Sequence, residues 1–211
     1  MQPTAKISLI DSAQLPSRFG DFRIYGFLEH GNGKEHTAIV RGDIKGFGDI
    51  PTRVHSECHT GDVLGSLRCD CRDQLEAALA YIGKQERGLV IYLKQEGRDI
   101  GLLNKIKAYH LQDQGLDTVD ANTHLGLPVD GRSYDIAAEI LRLLEVESIQ
   151  LMSNNPLKFK GLEEEGVTIT RRIPIVIKAV EQNRGYLSTK QIRMGHIFSE
   201  NDSIQHIQIQ A

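Results

Sequence analysis

Cys58, Cys69 and Cys71 are the only cysteines in this chain of 211 residues, and all three fall inside RVHSECHTGDVLGSLRCDCR, residues 53–72, with C-x10-C-x-C spacing. Three thiolates in one short polar segment are a donor set that zinc accepts readily, because it takes sulfur ligands in a tetrahedron and has no redox chemistry of its own. Three protein ligands leave a fourth position for water, whose pKa falls to roughly 7 on the metal. The pattern therefore reads as a hydrolytic metal centre. Two other readings stay open on the residues alone. His55 or His59 can close the tetrahedron, so that the metal only staples a loop, or the cysteines are unconnected core thiols, which their polar setting argues against.

Other polar groups gather at the ends of apolar runs. Glu96 and Arg98 follow GLVIYLK, residues 88–94, in the loop QEGRDIG. Ser153, Asn154, Asn155 and Lys158 follow SIQLM in the same manner, with donors suited to an anion at a helix N-terminus or, for an asparagine, to plain capping. Asp130 and Arg132 flank Gly131 in a long polar connection over 115–134, and loops of that length are usually functional. The run Gly31-Asn32-Gly33-Lys34 lacks the remaining positions of a phosphate-binding loop, so a nucleotide site of that type is rejected.

The elements that must position these groups alternate. After a lead-in with one strand, FRIYGFL and HTAIVRG flank the turn HGNGKE and predict an N-terminal β-hairpin. TRVHSE reads as a strand delivering Cys58, and Leu75, Ala78, Leu79 and Ile82 recur at helical spacing from Arg72 to Arg87. Cys69 and Cys71 then sit near a helix N-terminus, where Arg68 and Arg72 should favour the thiolates. A further helix runs through NKIKAYHLQDQG with Ile100, Leu103 and Ile106 as its core stripe, and another from Asp135 with Ile136, Ile140, Leu143 and Leu144 on one face. VTITRRIPIVI adds a strand, NRGYLSTKQIRMGH a last helix, and residues 199–211 a polar, mobile tail. Strand, polar loop and helix in succession make an α/β protein with its site at the carboxyl ends of the strands.

Composition bounds the class. At 40% hydrophobic and 25% charged residues, with net charge −3, the chain has the make-up of a globular protein and no general basic footprint for nucleic acid. It contains no apolar run long enough for a membrane span, and an odd, clustered cysteine count points to a reducing, cytoplasmic setting.

Together RVHSEC, SLRCDC, QEGR-x-IGL, NK-x-x-AY-x-LQDQG, DT-x-x-AN and NNP-x-K resemble GTP cyclohydrolase II, from about Asp21 to His196. The resemblance implies a three-layer α/β fold with a mixed β-sheet flanked by helices, one catalytic domain over 1–198, and a homodimer. It implies an enzyme of riboflavin biosynthesis that opens GTP at C8 with zinc and magnesium and releases formate and pyrophosphate. On that likeness Cys58, Cys69 and Cys71 hold zinc, and Arg53, Val54, His55, Ser56, Glu57, Gln74, Glu96, Gly97, Arg98, Thr118, Ser153 and Lys158 contact GTP. Asp130 matches the proton acceptor, Arg132 the nucleophile, and Tyr109 the tyrosine tied to the second hydrolysis. A guanidinium stays protonated in nearly all settings, so a phosphate clamp suits Arg132 better. Ser153 stands where the family commonly has threonine, and Arg72-Asp73 also departs from the family pattern. The alternative is a zinc-stabilised nucleotide-binding regulatory module without catalysis.

Overall fold

A computed structural model of the chain describes residues 5–175 and 177. Seven strands form a single sheet: β1 (Ile7–Ser17), β2 (Gly20–Glu29), β3 (Glu35–Arg41), β4 (Ile50–Ser56), β5 (Gly88–Leu93), β6 (Ile149–Met152) and β7 (Ile169–Ile173), in the order β1-β2-β3-β5-β4-β6-β7. The sheet is mixed. β1, β2, β3 and β5 pair antiparallel, whereas β5, β4, β6 and β7 pair parallel, so β5 belongs to both halves. The hairpin of β2 and β3 closes through His30–Lys34, as its turn residues predict.

Alternation of side chains along the central strands builds a core on each face. On β5, Leu89, Ile91 and Leu93 join Val54 and the helix residues Ile136, Ile140 and Leu162 in one cluster, while Val90 joins Ala78 and Ile82 in the other. Helices α4 (Asp135–Leu143) and α5 (Pro156–Glu164) therefore cover one face and α1 (Cys71–Gly83) the other, which makes the three layers.

The sequence reading needs four corrections. Helix α1 stops at Gly83, short of Arg87, because the chain there runs against the β1–β2 turn: a Cβ on Gly83 would lie 1.9 Å from the Phe19 carbonyl oxygen. The connection over 115–134 holds a helix, α3 (Thr118–His124), started by the Asp117 carboxylate, which accepts from the amides of Val119 and Asp120. On α2 (Leu102–Asp113) the apolar stripe faces outward, with Leu103 75% and Ile106 50% exposed, and the inward side carries Lys105 and Ala108. On α4, Leu143 is likewise partly exposed, whereas Ile136, Ile140 and Leu144 are buried. The helix expected over 183–196 and the polar tail lie outside the described residues.

Gly83→Ala should destabilise the protein by about 1–3 kcal/mol, since a methyl there can be admitted only by moving backbone. Urea unfolding of both proteins measures the difference, and an unchanged midpoint would show that the β1–β2 turn yields freely.

Candidate active site

Parallel pairing of β4 with β5 and β6 brings three chain segments to one edge of the sheet: Ser56-Glu57-Cys58, Lys94-Gln95-Glu96 and Ser153-Asn154-Asn155. Above that edge lies an open cleft walled by the first and third of these segments, α2 and the loops around Arg98 and Arg132.

The cysteines form its floor. After β4 the chain makes a wide helical turn, His59–Val63, that wraps the Cys58 sulfur, and α1 begins at Cys71 with Asp70 at its N-cap. The three sulfurs lie within 4.8 Å of one another, and this group holds no histidine among the described residues. Cys58 and Cys69 are 3.6 Å apart, close to the spacing of about 3.7 Å that zinc–sulfur bonds of about 2.3 Å at tetrahedral angles require. Gly61 keeps the space open: a Cβ there would sit 2.8 Å from the Cys69 sulfur and 3.1 Å from that of Cys58. The donor set and the cradle fit zinc with a free position.

Arg68 and Arg72, adjacent in sequence, do not supply the positive charge at the sulfurs. Arg68 bonds Asp113 and lies over the Tyr109 ring, and Arg72 pairs with Glu76. Lys105 takes that place, its Nζ 3.0 Å from the Cys58 sulfur and 2.8 Å from Glu96 Oε1. Hydrogen bonds from the other two thiols, with Lys105 beside them, hold Cys58 far below the usual thiol range against the effect of burial. The Cys69 thiol, which bonds the Cys58 sulfur, is correspondingly pushed up to about 11.

Behind the cluster, the buried Asp62 carboxylate accepts from the Cys58 amide at 3.0 Å, from the Tyr92 hydroxyl at 2.8 Å and from His55 Nε2 at 3.1 Å. A carboxylate only accepts, so Nε2 carries the His55 proton and Nδ1 offers a lone pair. That Nδ1 is buried and has no hydrogen-bond partner among the described residues, and His55 lines the cleft. Burial, only partly opposed by Asp62, lowers the His55 pKa and keeps the ring neutral.

A second chain of bonds ties the Asp70 segment to the sheet. Gln74 Nε2 donates to Asp70 Oδ2, and Arg53 donates to Gln74 Oε1 at 2.6 Å and to the Met152 carbonyl at 2.8 Å. Burial, partly offset by Asp70, brings the Arg53 pKa down to about 10.

The upper wall is a loop in an unusual conformation. Gly97, Arg98, Asp99 and Gly101 all have positive φ, of 62°, 61°, 69° and 83°, a conformation that costs free energy for the two non-glycine residues and tends to mark functional loops. Lys34 from the β2–β3 turn pairs with Asp99 at 2.5 Å, and the Arg98 carbonyl accepts from the Gly131 amide. Beside it Asp130 grips Arg132 through both carboxylate oxygens, which lowers the Asp130 pKa although burial works the other way.

Of the residues expected to contact substrate, Arg53, His55, Ser56, Glu57, Gln74, Gly97, Arg98, Thr118 and Lys158 line the cleft, as do Tyr109 and Arg132. Four expected residues do not. Val54 is wholly buried and its carbonyl accepts from Lys158 Nζ at 2.6 Å; Ser153 caps the Asn155 amide; Glu96 turns to Lys105 and the His59 amide; Asp130 backs Arg132. Asn155 caps α5 through the Leu157 amide and also lines the cleft. Sequence reasoning gave no role to Lys105, Gln112 or Asn122, which line it too, and placed Arg68 at the thiolates instead of on the cleft wall. Lys105 and Gln112 share a face of α2 with Tyr109, and that helical spacing was the available signal.

The family model described as GTP cyclohydrolase II matches residues 8–174. A GTP cyclohydrolase-2 of Picrophilus torridus is 59% identical over 192 residues, covering 91% of this chain and all of that protein. One of Aeromonas hydrophila is 50% identical over 196 residues, covering 93% of this chain and again all of the relative.

Asp62→Asn should lower the unfolding free energy by about 1–3 kcal/mol, because an amide cannot accept from three donors at once and strands at least one of them. Nitrogen NMR of the imidazole should show His55 protonated on Nε2 in the wild type and losing that preference in the variant. An unaltered tautomer and stability would show that Asp62 does not orient the ring.

Proposed function

The chain belongs to the GTP cyclohydrolase II family, and on that premise we propose that its cleft opens the imidazole ring of GTP at C8. Formate and pyrophosphate leave, and the product is 2,5-diamino-6-hydroxy-4-(5-phosphoribosylamino)pyrimidine, the first intermediate of riboflavin biosynthesis. The observation that carries the reading is a charge contrast. The chain has net charge −3, yet among the described residues six side chains lining the cleft are Lys or Arg against one carboxylate, Glu57, with the three sulfurs at the floor. Such a cleft suits a polyanion whose reacting carbon must reach a metal.

Cys58, Cys69 and Cys71 would hold zinc. Zinc supplies a Lewis acid that makes water nucleophilic near neutral pH. Arg98, Arg132 and Lys158 are the cations placed for the phosphates, and magnesium would neutralise further phosphate oxygens. Paired with Arg132, Asp130 is a weak base. When a phosphate oxygen takes over the guanidinium, the carboxylate is freed and its basicity rises, which suits the proton acceptor. Arg132 then clamps the α-phosphate and stabilises charge as pyrophosphate departs. The lone pair of His55 Nδ1 suits an N–H or O–H of the nucleoside. Thr118, at the start of α3, faces the same space.

The remaining assignments belong to the same reading. The catalytic unit is one domain over residues 1–198 and works as a homodimer, for which exposed Leu64, Leu67, Leu103 and Ile106 offer apolar surface. It acts on GTP in the cytoplasm without nucleic acid or membrane. The cysteines are free, as a reducing compartment requires, and no helix among the described residues is long and apolar enough to cross a membrane.

Incubation with GTP and magnesium, followed by assay of formate and pyrophosphate, tests the proposal. Both should be released, and Cys69→Ser should lose zinc and formate release together, since a hydroxyl is a poor substitute for a thiolate ligand. Protein that binds GTP and releases neither would be the regulatory module instead.

Tyr109 lines the cleft, with its hydroxyl 3.4 Å from Thr60 Oγ1, which in turn lies 3.7 Å from the Cys58 sulfur. Burial raises its pKa, so the phenol keeps its proton at neutral pH and can relay one to a departing amine. Tyr109→Phe should spare ring opening and slow expulsion of formate, so that a formamido-pyrimidine accumulates. Mass spectrometry of the GTP reaction detects that species, and deformylated product at the wild-type rate would reduce Tyr109 to a packing residue.

A further inference from the structure

We propose that Lys105 is a positioning residue of the metal centre, its ammonium held by Glu96 so that it donates to the Cys58 sulfur and supplies charge that three thiolates around a divalent ion lack. The inference rests on the reading of the cysteine cluster as a metal site.

Three observations carry it. Lys105 Nζ lies 3.0 Å from the Cys58 sulfur and 2.8 Å from Glu96 Oε1, and Glu96 Oε2 accepts from the His59 amide at 2.5 Å. Carboxylate, ammonium and sulfur thus form one line that also fixes the turn following Cys58. The second observation is burial: Lys105 is only 9% exposed on a helix whose Leu103 is 75% and Ile106 50% exposed. Burying an ammonium costs more than burying a leucine, so a lysine turned inward while leucine and isoleucine face outward needs a partner whose charge requires it. The third is formal charge. Three thiolates around a divalent ion leave one negative charge in excess, and the cysteines that hold it are themselves largely buried.

Lys105 differs from a plain structural ion pair in what it does to sulfur. An N–H donated to a thiolate lowers the energy of the sulfur lone pairs, so it weakens donation to the metal and raises the energy of sulfur-to-metal charge transfer. Outer partners of this kind are worth 10–100-fold in metal affinity or activity. The sign of the affinity change follows from charge: three thiolates around a divalent ion carry one negative charge in excess, which the Lys105 ammonium 3.0 Å from the Cys58 sulfur offsets, so loss of Lys105 weakens the loaded state.

Lys105→Met and Lys105→Gln, each purified as holoenzyme and exchanged with cobalt(II), test the inference. In the Met variant the charge-transfer band should move to longer wavelength, and the zinc dissociation constant, measured against a chromophoric chelator, should rise about 10-fold or more. Glutamine keeps an N–H donor without the charge, so its band should lie nearer the wild type while its zinc constant stays raised. Should the Met variant fail to fold, the glutamine variant carries the test through that constant. A folded variant with wild-type band and zinc constant would overturn the role of Lys105. Wild-type protein that takes up neither cobalt nor zinc would instead overturn the metal reading.

Discussion

Parallel pairing at the centre of the sheet is the constraint on which the site depends. β4, β5 and β6 run in one direction, so their carboxyl ends open at one edge, and every segment that walls the floor of the cleft leaves from there. The antiparallel half contributes no such edge. It serves as a buttress whose β2–β3 turn reaches the site through the pairing of Lys34 with Asp99.

Charged groups brought to that edge are buried in networks and seldom alone. Asp62 satisfies a backbone amide, a phenol and an imidazole, while Arg53 spans a carbonyl of β6 and the amide of Gln74. Arrangements of this kind add little net stability, since desolvation offsets attraction, but they fix geometry to within a hydrogen bond. The consequence is a floor whose sulfurs, imidazole and guanidinium are set in place before a ligand arrives. Asp130 and Arg132 are a different case, because they grip each other within one loop.

Much of this was legible in the sequence, for reasons that also explain what was not. The C-x10-C-x-C spacing marked Cys58, Cys69 and Cys71 as a candidate metal site, and the fold brings their sulfurs within 4.8 Å of one another, while runs of strand-forming and apolar residues marked β2, β3 and β5. Helix α2 misled because its pattern was read on the assumption that an inward face is apolar. It packs against a polar cleft, so Leu103 and Ile106 turn out and Lys105 turns in. Helix α3 was hidden for a related reason: the Asp117 cap starts it, and no apolar stripe announces it. Arg68 and Arg72 show the limit of adjacency, since neighbours of a cysteine in sequence here point to Asp113 and Glu76. Lys105, distant in sequence, meets Cys58 only through the fold.

The division of the sheet into two halves also orders its assembly. β1, β2 and β3 follow one another through short turns and can pair as soon as they are synthesised, whereas β4 must wait for β6, which lies on the far side of β5 and the four helices α1 to α4. The bonds that finish the floor are longer-range still: Arg53 reaches Met152 across 99 residues of chain and Lys158 reaches Val54 across 104. A nascent chain that ends before β6 therefore already carries all three sulfurs beside an intact hairpin, with the Arg53 guanidinium and the Val54 carbonyl still without these partners. Competence to organise the floor arrives only with β6 and α5.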